Sequence, residues 1–165
     1  MKRASLFLCY LVFSSLCLGT DADILAHRKA QAERYFRAIY SCQLSVIDEL
    51  AAENITISYP IFQQIFGEAA IHGREAAKAF SMHFCAKWTD AQITIEQAIA
   101  EQDTVVLVWK FSARDTADQT SDRQSWGGIT VLRFDNHGKI SSEIGEESAP
   151  GPSGRLTKAA EKTSD

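Results

Sequence analysis

The chain has 165 residues, of which 45% are hydrophobic and 23% are charged, and its formal net charge is -4 at pH 7. This length and composition are typical of one globular domain with its own hydrophobic core. The mildly acidic charge gives no reason to expect nucleic acid or an anionic membrane surface as a partner.

The first residues have the pattern of a secretory signal peptide. Two basic residues precede an apolar run from Leu6 to Leu18, and small or polar residues follow it. A cut after Gly19 or after Ala22 would fit the small residues at that point. The apolar run is shorter than the roughly 20 residues that a membrane-spanning helix needs. We therefore expect residues 1–22 to be removed and the mature protein to be secreted or periplasmic, without stable insertion in a membrane.

Two cysteines, Cys42 and Cys85, follow that cleavage site. In an oxidising compartment they can pair with each other. Both fall in helical patterns, however, where a free cysteine is also common as a small core residue. The sequence leaves the disulfide open.

Helical periodicity dominates the first half of the chain. Apolar residues at i, i+3, i+4 and i+7 predict a long first helix from Ile24 to about Ser41, and a short second helix that ends near Glu53. An alternating run predicts a short strand at 55–59. Residues 61–73 have no clean period, and a further helix is predicted at 74–87.

Four consecutive strands are predicted in the second half. The first two are 92–100 and 104–113, and a polar loop follows at 114–122. The clearest feature is a hairpin within Trp126–Glu147, whose strands flank the turn sequence Asp135-Asn136-His137-Gly138. Helices first and strands last predict an α+β fold with an antiparallel sheet.

The domain is expected to cover residues 23–149. The remaining residues, 150–165, are predicted to form a disordered polar tail.

Alternation along the strands predicts which side chains face the helices. On the second strand the inward set is Val105, Leu107, Trp109, Phe111 and Ala113. On the third strand Arg133 marks the outer face, so the inward set is Trp126, Gly128, Thr130, Leu132 and Phe134. The same alternation places inward, on the last strand, Ile140, Ser142, Ile144 and Glu146. A bulge would shift every assignment beyond it by one residue, and the pair Gly127-Gly128 is suited to one.

The order of these elements carries a family resemblance. Together with the helix start Gly73-Arg74-Glu75-Ala76 and the strand motifs Val131-Leu132-Arg133-Phe134 and Gly138-Lys139-Ile140, it resembles the nuclear transport factor 2-like superfamily, in particular its SnoaL-like and ketosteroid-isomerase-like members. The resemblance covers about residues 25–149. It implies a cone-shaped fold in which a curved antiparallel sheet of four to six strands wraps on about three N-terminal helices. It also implies a deep apolar pocket and frequent homodimers, but the superfamily includes enzymes and non-enzymes.

Ketosteroid isomerases of this superfamily use a tyrosine on the first helix, a carboxylate base before the proline of the first strand, and a protonated acid on a later strand. The resemblance places Tyr35 at the tyrosine position. The base position falls on Tyr59 and the second acid falls near Thr130, so steroid-type isomerisation is disfavoured. Tyr35 and Tyr59 are each either a hydrogen-bond donor to a ligand or a core aromatic residue.

Glu146 is the acidic residue that inward parity would place in the pocket. Burial would raise its pKa and suit it to acid/base catalysis. The alternative is that the strand is already ending and that Glu146 is solvated beside Glu143 and Glu147. We expect no metal and no cofactor, because the four histidines show no i, i+4 pair and no Cys/His spacing.

Two functions remain open. In the first, the protein binds a small, largely apolar molecule and performs acid/base chemistry, such as isomerisation, cyclisation, dehydration or hydrolysis, with Tyr35, Tyr59 and Glu146 as its polar groups. Its pocket would be lined by Phe80, Phe84, Leu107, Trp109, Phe111, Trp126, Thr130 and Leu132. In the second, it is a non-catalytic ligand-binding or homodimerisation module with an aromatic-filled pocket. Its outer sheet face would then pair with a second copy through Val106, Val108, Ile129 and Val131.

Overall fold

The computed structural model describes residues 20–117 and 122–148, which form four helices and one six-stranded sheet. The predicted signal sequence up to residue 19, the tip of the polar loop at 118–121 and the predicted tail at 150–165 lie outside the described residues. The helices are α1 (Asp21–Tyr40), α2 (Leu44–Leu50), α3 (Pro60–Phe66) and α4 (Arg74–Lys87). The strands are β1 (Ala51–Ser58), β2 (Ala70–His72), β3 (Trp88–Glu101), β4 (Thr104–Asp115), β5 (Gln124–Phe134) and β6 (Ile140–Glu147).

The strands lie in the order β2-β1-β6-β5-β4-β3. Neighbouring strands are antiparallel except β1 and β6, which are parallel. The helices pack against one face of this sheet, so the predicted α+β class and the cone-shaped architecture are confirmed.

The first helix begins earlier than its apolar periodicity indicated. Thr20 is its N-cap: the side chain accepts a hydrogen bond from the Asp23 backbone, and the Asp23 carboxylate accepts one from the Thr20 backbone. This reciprocal capping box satisfies backbone N–H groups that the first turn leaves free, and therefore adds a turn before Ile24.

Residues 60–72, which show no clean period in the sequence, form α3 and β2. Pro60 occupies the first helical turn, where its missing N–H costs nothing. Gly67 ends the helix at φ 74, a left-handed conformation that glycine adopts without strain. Phe62 is the buried residue of α3, and Ile61 and Phe66 add contacts with the core and with Phe80.

The core lies between the helices and β4–β6. It includes Tyr35, Phe36 and Ile39 from α1 together with Leu107 and Trp109 from β4. Cys42, after α1, and Cys85, on α4, form a disulfide, which decides the pairing that the sequence left open.

Most inward assignments are confirmed. All five inward residues predicted for β4 are buried, as are Thr130, Leu132 and Phe134 on β5. The pairing of β4 with β5 runs without a register shift past Gly127 and Gly128, so no bulge lies there. Within the described residues, no helix is both long and apolar enough to cross a membrane.

Candidate functional site

The last strand contains a bulge that decides which carboxylate enters the domain. Phe134 of β5 lies opposite Ile140, whereas Arg133 lies opposite Ser142, so Ser141 is an additional residue on β6. Beyond such a bulge the alternation of inward and outward side chains shifts by one residue. Glu143 therefore points inward and is only 1% exposed.

The same shift corrects the sequence prediction for the end of β6. Ser142, Ile144 and Glu146 do not follow Ile140 to the inner face: Ile144 is 49% exposed and Glu146 is exposed. Glu146 lines an open groove instead of the interior. Its predicted inward orientation is wrong, and the carboxylate beside the two predicted tyrosines is that of Glu143.

Glu143 is part of a buried chain of hydrogen bonds. The Tyr59 hydroxyl donates to Glu143 Oε1 at 2.7 Å and lies 2.9 Å from Thr130 Oγ1. The Trp109 indole Nε1–H donates to the same Thr130 oxygen at 2.9 Å. Four side chains thus meet at one place, one from the N-cap residue of α3 and three from β4, β5 and β6, and none of them is more than 2% exposed.

The other carboxylate oxygen of Glu143 differs from Oε1 in its hydrogen bonding. Glu143 Oε2 is buried without a hydrogen bond, and the buried Tyr35 hydroxyl of α1 also has none within the described residues. The Tyr35 hydroxyl is nevertheless close enough to lower the pKa of Glu143. A buried polar group without a partner is costly, so this pair is suited to binding a polar group of a ligand.

Burial raises the pKa of Glu143 from 4.5 to about 7, while the hydroxyls of Tyr59 and Tyr35 act in the opposite direction. The pKa values of Tyr35, Tyr40 and Tyr59 are raised well above 10, first by burial and then by the nearby Glu143 charge. At neutral pH the three tyrosines therefore keep their protons and act as donors, whereas Glu143 exists in both protonation states. A carboxyl group in this condition can accept or donate a proton.

A glycine makes room for this arrangement. A Cβ atom added to Gly145 would lie 2.1 Å from Cε1 of the Tyr59 ring. The φ angle of Gly145 is not in the positive range, so its role is to admit the ring rather than to adopt a special backbone conformation. A glycine inside a strand indicates such a close approach. Gly145 shares the parity of Glu143, but this signal was not used in predicting the inner face of β6, and Glu143 was therefore missed.

Aromatic rings fill the space around the hydrogen-bond chain that leads to Glu143. Tyr59 packs on Phe62 of α3 with ring centroids 5.3 Å apart, and Phe62 packs on Phe80 of α4 at 5.2 Å. Phe36 packs on Trp109 at 5.1 Å. Access to Glu143 therefore requires some of these rings to move.

The residues predicted to line a pocket all lie on the inner side. Leu107, Trp109, Phe111, Thr130 and Leu132 are buried, whereas Phe80, Phe84 and Trp126 are partly exposed. Their role in holding a ligand stays a prediction. An open groove of about 1240 Å³ borders Trp109, Phe111 and Trp126, and a smaller pocket of about 200 Å³ borders Tyr59 and Gly145.

Glu147 is a second carboxyl group on this side of β6. Burial raises its pKa, and the Trp126 indole N–H lowers it. Its charge also acts on Tyr40. Among residues 20–117 and 122–148, no group of three His, Cys, Asp or Glu side chains is arranged to hold a metal ion.

Comparison with solved structures gives the same architecture at low sequence identity. An LEH-like epoxide hydrolase from M. tuberculosis has a TM-score of 0.59 and 11% identity, over 75% of this chain and 84% of that chain. The epoxide hydrolase/cyclase-like enzyme SalBIII, which has a role in pyran ring formation in salinomycin, has a TM-score of 0.59 and 22% identity, over 74% and 91%. A Catenulispora acidiphila protein with a ketosteroid isomerase-like fold, in complex with trimethylamine, has a TM-score of 0.58 and 16% identity, over 70% and 82%.

A search of curated proteins found no significant match. The model of the SnoaL-like domain family matches residues 32–143, a segment that begins on α1 and ends at the buried glutamate. That match covers more than half of the chain and agrees with the fold, so the chain belongs to the SnoaL-like domain family.

Proposed function

We propose that this protein binds a small, largely apolar molecule and performs acid/base chemistry on it through Glu143. The reaction would be an isomerisation, cyclisation, dehydration or hydrolysis. The observation that carries this proposal is the buried carboxyl group itself: it is hydrogen-bonded through one oxygen, unpaired at the other, and has a pKa of about 7. Catalytic acids and bases need pKa values near the working pH.

The proposed roles follow from the two oxygens. As a base, Glu143 Oε2 takes a proton from a C–H or O–H group of the substrate, whose bonding electrons stay on the substrate. As an acid, the protonated carboxyl group returns that proton at another atom. The Tyr35 hydroxyl, which lies close enough to the Glu143 carboxyl group to lower its pKa, donates a hydrogen bond to the oxygen on which negative charge develops. Tyr59 orients the carboxyl group through Oε1.

The named relatives support the class of reaction. Two of the similar proteins are an epoxide hydrolase and an enzyme with a role in pyran ring formation, and both reactions require proton transfer to or from oxygen. The apolar character of the substrate is inferred from the aromatic side chains around Glu143, including Phe62, Phe80 and Trp109.

The test compares two glutamate variants on one strand. Glu143→Gln keeps the shape of the side chain but cannot exchange a proton, whereas Glu146→Gln makes the same change on the exposed face. Mass spectrometry of molecules that co-purify with the protein selects the substrate class. Turnover is then followed with apolar epoxides, and with enolisable apolar ketones by deuterium exchange.

We expect Glu143→Gln to lose at least about 100-fold of the turnover. Glu146→Gln should remain close to the wild type, because its carboxylate is exposed and away from the buried chain. Full activity of Glu143→Gln would exclude the proposed role.

Export is the second part of the proposal. The Cys42–Cys85 disulfide supports it, since such bonds persist in oxidising compartments. Cleavage after Gly19 would keep the Thr20–Asp23 capping box of α1, whereas cleavage after Ala22 would remove it. N-terminal sequencing of the exported protein should therefore begin at Thr20. Retention of an uncleaved chain in the cytoplasm would contradict export.

A non-catalytic homodimerisation module is the other candidate. It is favoured by the aromatic rings that fill the interior and by exposed apolar side chains on the outer sheet face, such as Ile129 at 51% exposure and Ile144 at 49%. Light scattering at high protein concentration tests for the dimer, and the glutamate variants above separate binding from catalysis.

A further inference from the structure

The hydrogen bonds that lead to Glu143 have a direction, and Trp109 sets it. An indole N–H can only donate, so Thr130 Oγ1 must accept from Trp109. The other hydrogen-bond partner of Thr130 Oγ1 in this series of hydrogen bonds is the Tyr59 hydroxyl, at 2.9 Å. If Thr130 donates its proton to Tyr59 Oη, Tyr59 in turn donates its own proton to Glu143 Oε1.

The reverse direction leaves a proton without an acceptor. If Tyr59 donated to Thr130, the Thr130 hydroxyl would accept from two donors, and its own proton would have no acceptor among the hydrogen bonds of this side chain to residues 20–117 and 122–148. Thr130 is fully buried, so bulk water does not replace that acceptor. A buried polar hydrogen without a partner costs roughly 1–3 kcal/mol. The direction Trp109 to Thr130 to Tyr59 to Glu143 is therefore favoured.

A fixed direction makes the two carboxylate oxygens unequal. Glu143 Oε1 always accepts from Tyr59, so the proton that Glu143 gains or loses resides on Oε2, the oxygen that has no hydrogen bond within the described residues. We infer that Trp109 and Thr130 are positioning residues: they hold the Tyr59 proton on Oε1 and so leave Oε2 as the oxygen that exchanges a proton with the substrate. This inference rests on the proposed function of Glu143 as an acid and base.

Other groups also face Glu143 and must be considered in any pH measurement. Tyr35 and Tyr40 face it from α1, and Tyr59 faces it from the end of β1. Glu147, which lies on β6 like Glu143, is the other carboxyl group whose charge reaches Tyr40. The partners from β4 and β5 are Trp109 and Thr130, and neither of them titrates.

The first experiment uses the unmodified protein with its disulfide intact. The chain has three tryptophans, and ¹⁵N labelling gives one indole N–H signal for each. Trp88→Phe and Trp126→Phe identify two of these signals at partly exposed positions, so the third belongs to Trp109. ¹³C labelling of glutamate carboxyl groups reports Glu143, whose signal is absent in Glu143→Gln.

We expect the Trp109 indole signal to move with the same pH midpoint as the Glu143 carboxyl signal, although two side chains separate them. The Trp88 signal should not follow that midpoint, and the Trp109 response should disappear in Glu143→Gln. A Trp109 signal that stays constant while Glu143 titrates near pH 7 would overturn the inference and leave the proposed function standing. Titration of Glu143 in the ordinary carboxyl range would overturn both.

The second experiment removes one of the hydrogen bonds that lead to Glu143. Thr130→Val keeps the shape of the side chain but removes the donor to Tyr59, which weakens Tyr59 as a donor to the carboxylate. The Glu143 midpoint should rise by about half a pH unit or more, and the pH profile of turnover should move with it. Thr130→Ser keeps the hydroxyl and should restore the wild-type midpoint.

Phe111→Leu is the matched control, because Phe111 is a buried inward residue of β4, two positions from Trp109. This variant loses apolar contacts but keeps every hydrogen bond between Trp109 and Glu143. The pH midpoint of the Glu143 signal should therefore equal that of the wild type. Equal midpoints in Thr130→Val and the wild type would overturn the inference. If Thr130→Val does not fold, the indole measurement on the unmodified protein decides the question.

Discussion

Glu143 occupies its buried position at a cost to stability that depends on pH. Its pKa in the folded protein, about 7, lies above its ordinary value of 4.5. Between these two values the folded protein holds a proton that the unfolded chain has already released. The contribution of Glu143 to stability therefore falls as pH rises through this window, by a total of about 3 kcal/mol, and does not change further above it.

This linkage predicts that Glu143→Gln becomes more stable relative to the wild type as pH rises. From pH 4.5 to pH 8 the difference in unfolding free energy should grow by up to about 3 kcal/mol in favour of the variant. Urea unfolding at the two pH values measures it, with Glu146→Gln as the exposed control, for which we expect the same difference at both. A constant difference for Glu143→Gln would show that burial does not perturb this carboxyl group.

Gly145 allows a second prediction for a single residue. In Gly145→Ala the new methyl group would overlap the Tyr59 ring, so the ring must move away from Glu143. We expect a loss of about 2 kcal/mol in unfolding free energy, as is typical of overpacked interiors, together with reduced turnover. Ile144→Ala, at the exposed neighbouring position, should keep turnover. Wild-type stability and turnover in Gly145→Ala would mean that the ring position does not matter.

At the scale of the elements, alternation along a strand predicted the inner face wherever the pairing is regular. β4 and β5 pair without a shift, and their inward residues were identified correctly. The inward residues of β6 were not, because a single additional residue, Ser141, reverses the orientation of every side chain that follows it on the strand. Ile140 and Ile144 have the same parity in the sequence, so the apolar pattern gave no sign that they lie on opposite faces.

The two tyrosines of the site were accessible to sequence reasoning, whereas its carboxylate was not. Tyr35 and Tyr59 lie in clear apolar patterns that place their rings inside. Glu143 follows two serines and precedes an isoleucine, which is the pattern of a solvated strand end. Its burial results from the bulge, from the parallel pairing with β1 and from the space above Gly145, all of which are properties of the tertiary structure.

The third prediction concerns α3 as the cover of the site. Phe62 contacts Tyr59 and Phe80, whereas Ile65 and Phe66 on the same helix are 61% and 42% exposed. Phe62→Ala should therefore release α3 while the sheet stays folded. We expect faster hydrogen exchange and proteolysis at 60–67, and faster entry of a small apolar fluorescent probe such as ANS. Ile65→Ala is the control on the same helix, and equal exchange in both variants would show that Phe62 does not hold the cover.

At the scale of the whole molecule, the bulge shapes both faces of the sheet. It turns Glu143 inward and, in the same step, turns Ile144 outward. Ile144 lies opposite Val131, Val131 opposite Val106, and Val106 opposite Ile99. An apolar stripe therefore crosses four strands of the outer face, and Ile129 lies beside it with 51% exposure.

A continuous apolar stripe on an otherwise polar face is typical of a protein interface. Lys110 and Glu96 form an ion pair on this same face, and Arg133 and Glu146 add one charge of each sign. A surface with both signs around an apolar centre can pair with a copy of itself about a two-fold axis, where each charge meets its opposite. The stripe is thus suited to a homodimer.

We therefore expect the wild type to be dimeric by light scattering and Ile129→Lys to be monomeric. The lysine charge would lose its hydration in the interface, a cost that the neighbouring Glu146, opposite position 129, does not fully offset. Met82→Lys is the matched control, since Met82 on α4 is also 51% exposed but lies away from the sheet; it should stay dimeric. A monomeric wild type at high concentration would rule out the dimer. Because the interior is on the opposite face, monomeric Ile129→Lys should retain the Glu143 titration, which separates assembly from the chemistry of the site.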